Sequence, residues 1–532
     1  MTRPGRLKQT CLALAVGQAL GMPLAQAVTI NVDAGCTLIE AIQEAESPND
    51  LNLGCEPAVG ATDDTIVLAS GSVHTLTSGF DNGVSAPNLF TGTPFITSNI
   101  TIQGQGSGAT IERVSTDEFR LFAVVNDGSL TIENSTLTGG FLSEGPTGVD
   151  YSGGGIYVGA NAGLTLNDVT LDSNQVSLGN GGGIYSKGGD IVIANSTLSG
   201  NSAGEHGGGV SSDGKSSITI KNSTISGNSA RFGGGVFGDV DALIQVHASN
   251  IENNSSYRGG GLFTYGATTV IIDNSSVSSN TAIDFAGGLE MNGRENSISD
   301  TTISDNSANI GGGISTDDAT LENVTISGNT ASNSAGGIFL TSQASIKINN
   351  STITANIAGS RTGGLLTHFL SDTIDISNSV ISGNSSTIAP TEIDNQGATV
   401  VSRNNVFGEN ATNFLDGFQG FSLSQFDINA SSDGDATSQH KPTSLSNILA
   451  PLSDNGGVTK THALVLGSPA INMGNNASCT NTDQRGFQRV GRCDMGAFEF
   501  NSPGPPVPPP PPPFEPATIV PPIMLLLDEE ES

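Results

Sequence analysis

One feature constrains the fold of this 532-residue chain more than any other: a glycine motif that returns at steps of 24 to 28 residues. The motif is GGG, or a degenerate form of it, followed by an aliphatic residue. Its copies end at Ile156, Ile184, Val210, Val236, Leu262, Leu289, Ile314, Ile338 and Leu365. A fixed period in the twenties is typical of a solenoid, in which each repeat stacks on its neighbours.

A second pattern runs in phase with the glycine motif. Segments 191–201 (IVIANSTLSGN) and 218–228 (ITIKNSTISGN) align without gaps, and so do several others. They contain short β-branched stretches with period-two alternation, bounded by Gly and Asn. No proline lies between Pro146 and Pro390, as a continuous stack of paired strands requires. These patterns predict an all-β parallel β-helix with about three short strands per turn.

Asparagine occupies two fixed positions of the repeat. One column comprises Asn134, Asn195, Asn222, Asn274, Asn323, Asn350 and Asn378. The other comprises Asn174, Asn201, Asn228, Asn254, Asn280, Asn306, Asn329, Asn356 and Asn384. Amides stacked about 4.8 Å apart can hydrogen-bond along the axis, so we predict an asparagine ladder in both columns. Several of these residues also lie in N-x-S/T sequons, and glycosylation is the alternative.

The N-terminus is typical of a secretory signal peptide. Basic residues precede the apolar stretch 11–24, and Ala25-Gln26-Ala27 fits a cleavage site. We therefore expect residues 1–27 to be removed; a soluble N-terminal helix is the alternative. The formal net charge of −32 disfavours nucleic acid and anionic membranes as partners. The apolar run near the C-terminus, IMLLL, is far shorter than the about 20 residues that span a bilayer, so we expect no transmembrane span in the mature chain.

Four cysteines remain after the signal peptide. An exported protein meets an oxidising compartment, so we predict two local disulfides, Cys36–Cys55 and Cys479–Cys493, which close the two ends of the solenoid. Metal binding is the alternative, although no His or further Cys lies at zinc spacing beside either pair.

Three parts of the chain resemble known families. The segment CTLIEAIQEAE from Cys36, followed by DDTIVLASGSVHTLT (63–77), resembles the CSLREA domain of bacterial exported proteins. GSPAI (467–471), DQRG (483–486) and CDMGAFE (493–499) resemble the choice-of-anchor Q domain. The glycine motif with ISGN is similar to the repeats of chlamydial polymorphic outer-membrane proteins. The resemblance implies a right-handed, pectin-lyase-like β-helix with small terminal capping modules, secreted or displayed on a bacterial cell surface.

These patterns divide the chain into six segments. They are a signal peptide (1–27), a CSLREA-like cap with the first coils (28–125), the repeat array (126–410), irregular final coils or a connector (411–451), a choice-of-anchor Q-like domain (452–500) and a Pro-rich acidic tail (501–532). We expect the tail to be disordered, with its proline run a stiff and extended spacer.

The sequence contains no complete catalytic motif. Asn481-Thr482-Asp483 matches the first motif of polygalacturonase-like enzymes, but their other motifs are missing. Asp213 and Asp239 share a repeat position after the GGG strand and could hold a cation such as Ca²⁺ between turns; two exposed acids are the alternative. We identify no catalytic residue and no required cofactor.

The residues just before the glycine motif carry the functional groups that we consider for ligand binding. In the predicted register, one column holds Glu205, Arg231, Tyr257 and Asp284, and its neighbour holds His206, Phe232, Arg258 and Phe285. Aromatic faces beside Arg and carboxylates could hold a sugar; a ladder that only steadies the bends is the alternative.

The predicted function is adhesion, recognition or surface structure, with a polysaccharide or cell-surface ligand. A polysaccharide lyase or glycoside hydrolase of the pectin-lyase-like fold is the alternative.

Overall fold

The computed structural model describes residues 28–504, except 48–50, 52, 56–62, 84–89, 144–149, 294, 369, 371, 389–391, 409–417, 420–421 and 431–438. The predicted signal peptide and residues 505–532 of the tail lie outside the described residues. Within them the chain winds into a parallel β-helix, in which strands pair with their equivalents one turn before and after. The predicted all-β solenoid is confirmed.

Each complete turn contains four strand positions, which form four columns along the solenoid. Columns A, B and D belong to one 37-stranded sheet and column C is a separate 10-stranded sheet. Our prediction of three strands per turn was wrong, because a single left-handed residue divides columns A and B.

The strands of each column are as follows. Column A holds Asp63–Leu68, Asn99–Gly104, Asp190–Ala194, Ser217–Lys221, Leu243–His247, Thr269–Asp273, Asn296–Ser299, Thr373–Ser377 and Thr399–Arg403, preceded by Thr29–Asn31. Column B holds Val73–Leu76, Ala109–Arg113, Thr197–Ser199, Thr224–Ser226, Asn250–Glu252, Ser276–Ser278, Thr302–Ser304, Thr325–Ser327, Thr352–Thr354, Val380–Ser382, Val406–Phe407, Ile428–Asn429 and Gln439–His440. Ser129–Thr138 and Gly163–Asp172 run through A and B.

Columns C and D complete the turn. Column C holds Phe141–Leu142, Gln175–Val176, Ser202–Ala203, Ser229–Phe232, Ser255–Arg258, Thr281–Ala282, Ser307–Ile310, Thr330–Ser334, Ile357–Arg361 and Ser385–Ile388. Column D holds Phe122–Val124, Ile156–Val158, Ile184–Ser186, Val210–Ser212, Val236–Gly238, Leu262–Thr264, Leu289–Met291, Leu365–Leu366, Ile393–Asp394 and Phe418–Gln419. Ile314–Glu322 and Ile338–Asn349 run from D into the next column A.

The bend between columns A and B explains the first asparagine column. Asn222 has φ +48° and Asn195 has φ +50°, and the other members of the column have similar values. Asparagine tolerates this left-handed conformation better than most residues. The side chains form a ladder only in part, with Asn195 donating to Asn167 at 3.0 Å and Asn222 donating to Asn195 at 3.4 Å. The predicted continuous ladder in this column was therefore wrong.

The second asparagine column is the predicted ladder. From Asn174 to Asn356, each Nδ2 donates to Oδ1 of the next asparagine at 2.8–3.0 Å. The backbone N–H of each residue donates to the same oxygen at 2.9–3.1 Å. The ladder ends where Asn384 donates to the buried carboxyl of Glu392 at 2.6 Å.

A hydroxyl ladder, which the sequence patterns did not reveal, runs along the bend between columns A and B. The backbone N–H groups of Ser196, Ser223 and Ser249 each donate to the hydroxyl of the next turn at 3.0–3.1 Å. The two ladders satisfy buried polar groups at the bends, and aliphatic side chains such as Ile220 and Val246 fill the core between the columns.

Close stacking explains the glycine motif between columns C and D. Gly233 has φ +63°, which turns the chain. A Cβ on Gly234 would lie 2.5 Å from the carbonyl oxygens of both Gly260 and Ser255. The motif therefore repeats because each copy packs directly against the next.

A helix, Leu38–Ala45, covers the N-terminal end of the solenoid. Thr37 and Glu40 form a capping box at its start, and its buried side chains join the main core. The predicted Cys36–Cys55 disulfide is present beside it, with 4.8 Å between the Cα atoms. Among the described residues, no helix has the length and apolar composition needed to cross a membrane.

The C-terminal segment, from Leu445 onwards, lies along the side of the solenoid, whereas the sequence analysis predicted that it closes the end. It includes the 3₁₀ helix Leu445–Asn447 and the antiparallel strands Leu449–Ser453 and Thr461–Leu464. Four successive contacts are Thr302 to Lys460, Asn323 to Thr482, Asn349 to Ser478 and Asn404 to Met473. This segment, which contains the predicted Cys479–Cys493 disulfide, therefore braces the last turns from outside, along column B and its bend with column A.

The DQRG and CDMGAFE motifs form one buried network within this brace. Asp483 accepts from Nε of Arg485 at 2.9 Å and from the backbone N–H of Glu499 at 2.9 Å. The guanidinium of Arg485 lies 3.7 Å from the ring centroid of Phe498. Asp483 is fully buried, so the triplet that matches a polygalacturonase motif is part of the structural network here.

Candidate ligand-binding groove

The glycine turn places side chains of columns C and D next to each other on the outside of the solenoid. In column D, from Phe122–Val124 to Ile393–Asp394, the first residue of each strand points into the core, whereas the second packs outside it. Two clusters show this: Tyr157 and Tyr185 pack with each other, and Phe339 packs with Phe285 and Ile310. We call this surface the C–D groove; it contains the second residues of the D strands and the residues just before the glycine motif, such as His206, Phe232, Arg258 and Phe285.

The predicted register before the glycine motif is confirmed. His206 pairs with Phe232, and Phe232 pairs with Arg258. Phe285 pairs with Ile310 one turn further along. Stacked parallel strands thus bring these side chains into one row.

Aromatic rings from both columns form a continuous patch in the groove. His206 stacks on Phe237 with 4.2 Å between ring centroids, and Phe237 stacks on Phe263 at 5.7 Å. Phe232 lies at 5.6 Å from His206 and 5.4 Å from Phe263. Phe237 and Phe263 are buried beneath, while His206 and Phe232 are partly exposed. Burial lowers the pKa of His206, and this effect exceeds the opposing influence of nearby carboxylates.

The other predicted column lies along the outer rim of the groove. Arg231 forms an exposed ion pair with Glu205 at 3.2 Å, and its guanidinium is 5.2 Å from the ring centroid of Phe232. Tyr257 is 43% exposed. Asp284 is half-buried, and its negative charge acts on the nearby carboxyl of Glu290.

Arg258 forms a bidentate ion pair with Glu290, which the sequence analysis missed. Glu290 is the second residue of a D strand and its side chain is fully buried. Burial raises the pKa of Glu290 to about 7, although Arg258 and the amide of Asn292 act to lower it. Arg258 also lies 4.9 Å from the ring centroid of Phe285.

The same arrangement recurs further along the groove. Arg361 ends a C strand and pairs with Asp394, a buried second residue of a D strand. Arg258 and Arg361 both line a cleft of about 480 Å³, together with Phe285, Ile310, Ser334, Phe339, Thr341, Leu366 and His368. A signal for Arg361 exists in the sequence, since it directly precedes the degenerate motif TGGL as Arg258 precedes GGGL.

Asp213 and Asp239, the candidate cation ligands, lie together near the aromatic patch. The Asp213 carboxyl is close enough to act on that of Asp239, and Tyr185 donates to Asp213 at 3.1 Å. Burial raises the pKa of Asp239, and the neighbouring Asp213 raises it further. Within the described parts of the chain, no three His, Cys, Asp or Glu side chains cluster as a metal site would require.

Comparison with known proteins agrees with this architecture. The model of the family described as right handed beta helix region matches residues 91–277, 182–353 and 260–430, which together cover more than half of the chain. The molecule is a right-handed parallel β-helix, and the chain belongs to this family.

Solved structures similar to the chain include one titled crystal structure of pectate lyase Pel9A. It is 13% identical, with a TM-score of 0.32, and the match covers 82% of this chain and 88% of that one. With a TM-score of 0.32, this similarity gives no information about the activity of the chain. No curated protein matches the chain.

Proposed function

We propose that this chain is a secreted or surface-displayed β-helix protein that binds glycans in the C–D groove, and that it acts in adhesion, recognition or surface structure. The observation that carries the proposal is the row of partly exposed rings, His206, Phe232 and Phe285, with Arg258 above Phe285. Apolar sugar faces pack on aromatic rings, and charged groups beside the rings hydrogen-bond the sugar hydroxyls.

The end modules fit the proposed export. The DQRG and CDMGAFE motifs join in one network, which supports a single choice-of-anchor Q-like module, and the capped helix after Cys36 supports a CSLREA-like one. Cell fractionation with N-terminal sequencing tests export. We expect a mature chain that begins near Val28 outside the cytoplasm, and a full-length chain found only in the cytosol would contradict it.

Glycan-array binding tests the groove. We expect the wild-type protein to bind a defined set of glycans and the Phe232→Leu/Phe285→Leu variant to lose most of that binding. Phe426→Leu is the matched control, because Phe426 is 53% exposed and lies outside the groove. Unchanged melting temperatures would show that the variants fold. Equal binding by the wild type and the double variant would contradict the proposal.

A lyase or hydrolase activity is the second candidate function, and the Asp213–Asp239 pair favours it. Two interacting carboxyls with one raised pKa are a common arrangement for general acid and base catalysis. Product release from the glycans that bind, compared between the wild type and Asp239→Asn, tests this function. Binding without cleavage would reject it and leave the recognition role.

A further inference from the structure

The charges around the cleft between Arg258 and Arg361 indicate which class of glycan it accepts. Both arginine side chains are partly exposed, Arg258 by 32% and Arg361 by 41%. Each already has a fully buried carboxyl partner, Glu290 for Arg258 and Asp394 for Arg361. Above pH 7, where the carboxyl of Glu290 is mainly ionised, the positive charge that an anionic ligand would need is therefore already neutralised within the protein.

Two further carboxyls lie directly behind the cleft wall. Thr341, a lining residue, donates its hydroxyl to Asp317. The backbone N–H of His368, another lining residue, donates to Asp372 at 3.4 Å. Two arginines thus stand beside four carboxyl groups, and a polyanionic ligand would meet repulsion there.

The remaining surface of the cleft suits an uncharged sugar. The partly exposed ring of Phe285 offers apolar surface to the C–H faces of a sugar, and the mostly buried ring of Phe339, 6.0 Å away between centroids, also lines the cleft. The exposed edges of Arg258 and Arg361 retain N–H donors for hydroxyl oxygens. We infer that this cleft selects neutral hexose oligosaccharides over uronate-containing ones, an inference that rests on the proposed glycan-binding function.

Calorimetric titration of the full mature protein tests the selectivity. The probes are cellohexaose, maltohexaose, mannohexaose and hexagalacturonate, each at about pH 8, above the pKa of Glu290, and at low salt and about 0.5 M NaCl. We expect at least one neutral hexasaccharide to bind about tenfold or more tightly than hexagalacturonate, with little effect of salt. Phe339→Leu should weaken that binding, whereas Phe426→Leu should not.

The Glu290→Gln variant tests whether the buried carboxylates repel an anionic ligand. This variant removes one carboxylate behind Arg258, so hexagalacturonate should bind more tightly, by about threefold or more. Tighter binding of hexagalacturonate than of every neutral probe by the wild type, or no gain in Glu290→Gln, would overturn the inference. If no neutral hexasaccharide binds, the inference is also wrong, and the proposed function fails as well only if the wider glycan array shows no binding.

Discussion

Replacing Asn228 by alanine tests the asparagine ladder as a source of stability. The Asn228 side chain is fully buried and makes four hydrogen bonds: it accepts from N and Nδ2 of Asn201, and donates to the carbonyl of Leu198 and to Asn254. Each bond contributes about 1 kcal/mol net, and the buried N–H of Asn201 would be left unpaired. We therefore expect the free energy of unfolding to fall by about 4 kcal/mol.

Asn222 is the matched control, six residues earlier in the same turn. It is exposed and its main role is to adopt φ +48°. Alanine in this conformation costs about 1 kcal/mol. Urea unfolding followed by far-UV circular dichroism measures both variants against the wild type, with the transition midpoint compared at equal slope. An Asn228→Ala variant no less stable than Asn222→Ala would refute the role of the ladder.

Three further predictions address packing, pH and covalent structure. Gly234→Ala should prevent normal stacking, because its Cβ would lie 2.5 Å from two carbonyl oxygens. Gly163→Ala should be tolerated, because the nearest atom to its Cβ would be 3.4 Å away. Thermal unfolding compares the melting temperatures of the two variants. Burial raises the folded-state pKa of Glu290 to about 7 and that of Glu392 to about 8, whereas the pKa of glutamate in the unfolded chain is 4.5. The protonated forms of these two carboxyls therefore stabilise the fold fully below pH 4.5, and this stabilisation is lost as the pH rises through 7 and 8. We expect a higher Tm near pH 5 than near pH 8, with a smaller difference in Glu392→Gln, and an equal difference in that variant would disprove the assignment. Non-reducing peptide maps should show Cys36–Cys55 and Cys479–Cys493, and a link between the two pairs would contradict the structure.

The repeat made the solenoid predictable, but it did not distinguish the roles of its asparagines. Asn222 and Asn228 both recur once per turn, and only the backbone shows that the first makes a left-handed bend while the second points into the core. Sequence period alone contains no such difference. The position of the C-terminal segment along the solenoid could not be predicted from the sequence either, because contacts such as Asn323 to Thr482 join residues far apart in the chain.

The side of the groove that column C forms was predictable from the repeat. Residues before the glycine motif share a clear register, so the row from His206 to Phe285 could be placed from sequence. Glu290 and Phe237 lie in three-residue strands, where alternation is too short to assign the outward face. Arg361 precedes the degenerate copy that ends at Leu365, but its partner Asp394 lies in a two-residue strand with no glycine motif before it, so the sequence could not place the pair.

The central claim is that the C–D groove binds the glycan, and hydrogen–deuterium exchange tests it most directly. The measurement compares the mature protein alone and saturated with the hexasaccharide that binds most tightly. We expect slower exchange in peptides covering 228–239, 255–265 and 281–291, which form columns C and D, and unchanged exchange over 217–226 in columns A and B of the same turn. Protection of columns A and B with none in the groove would contradict the claim.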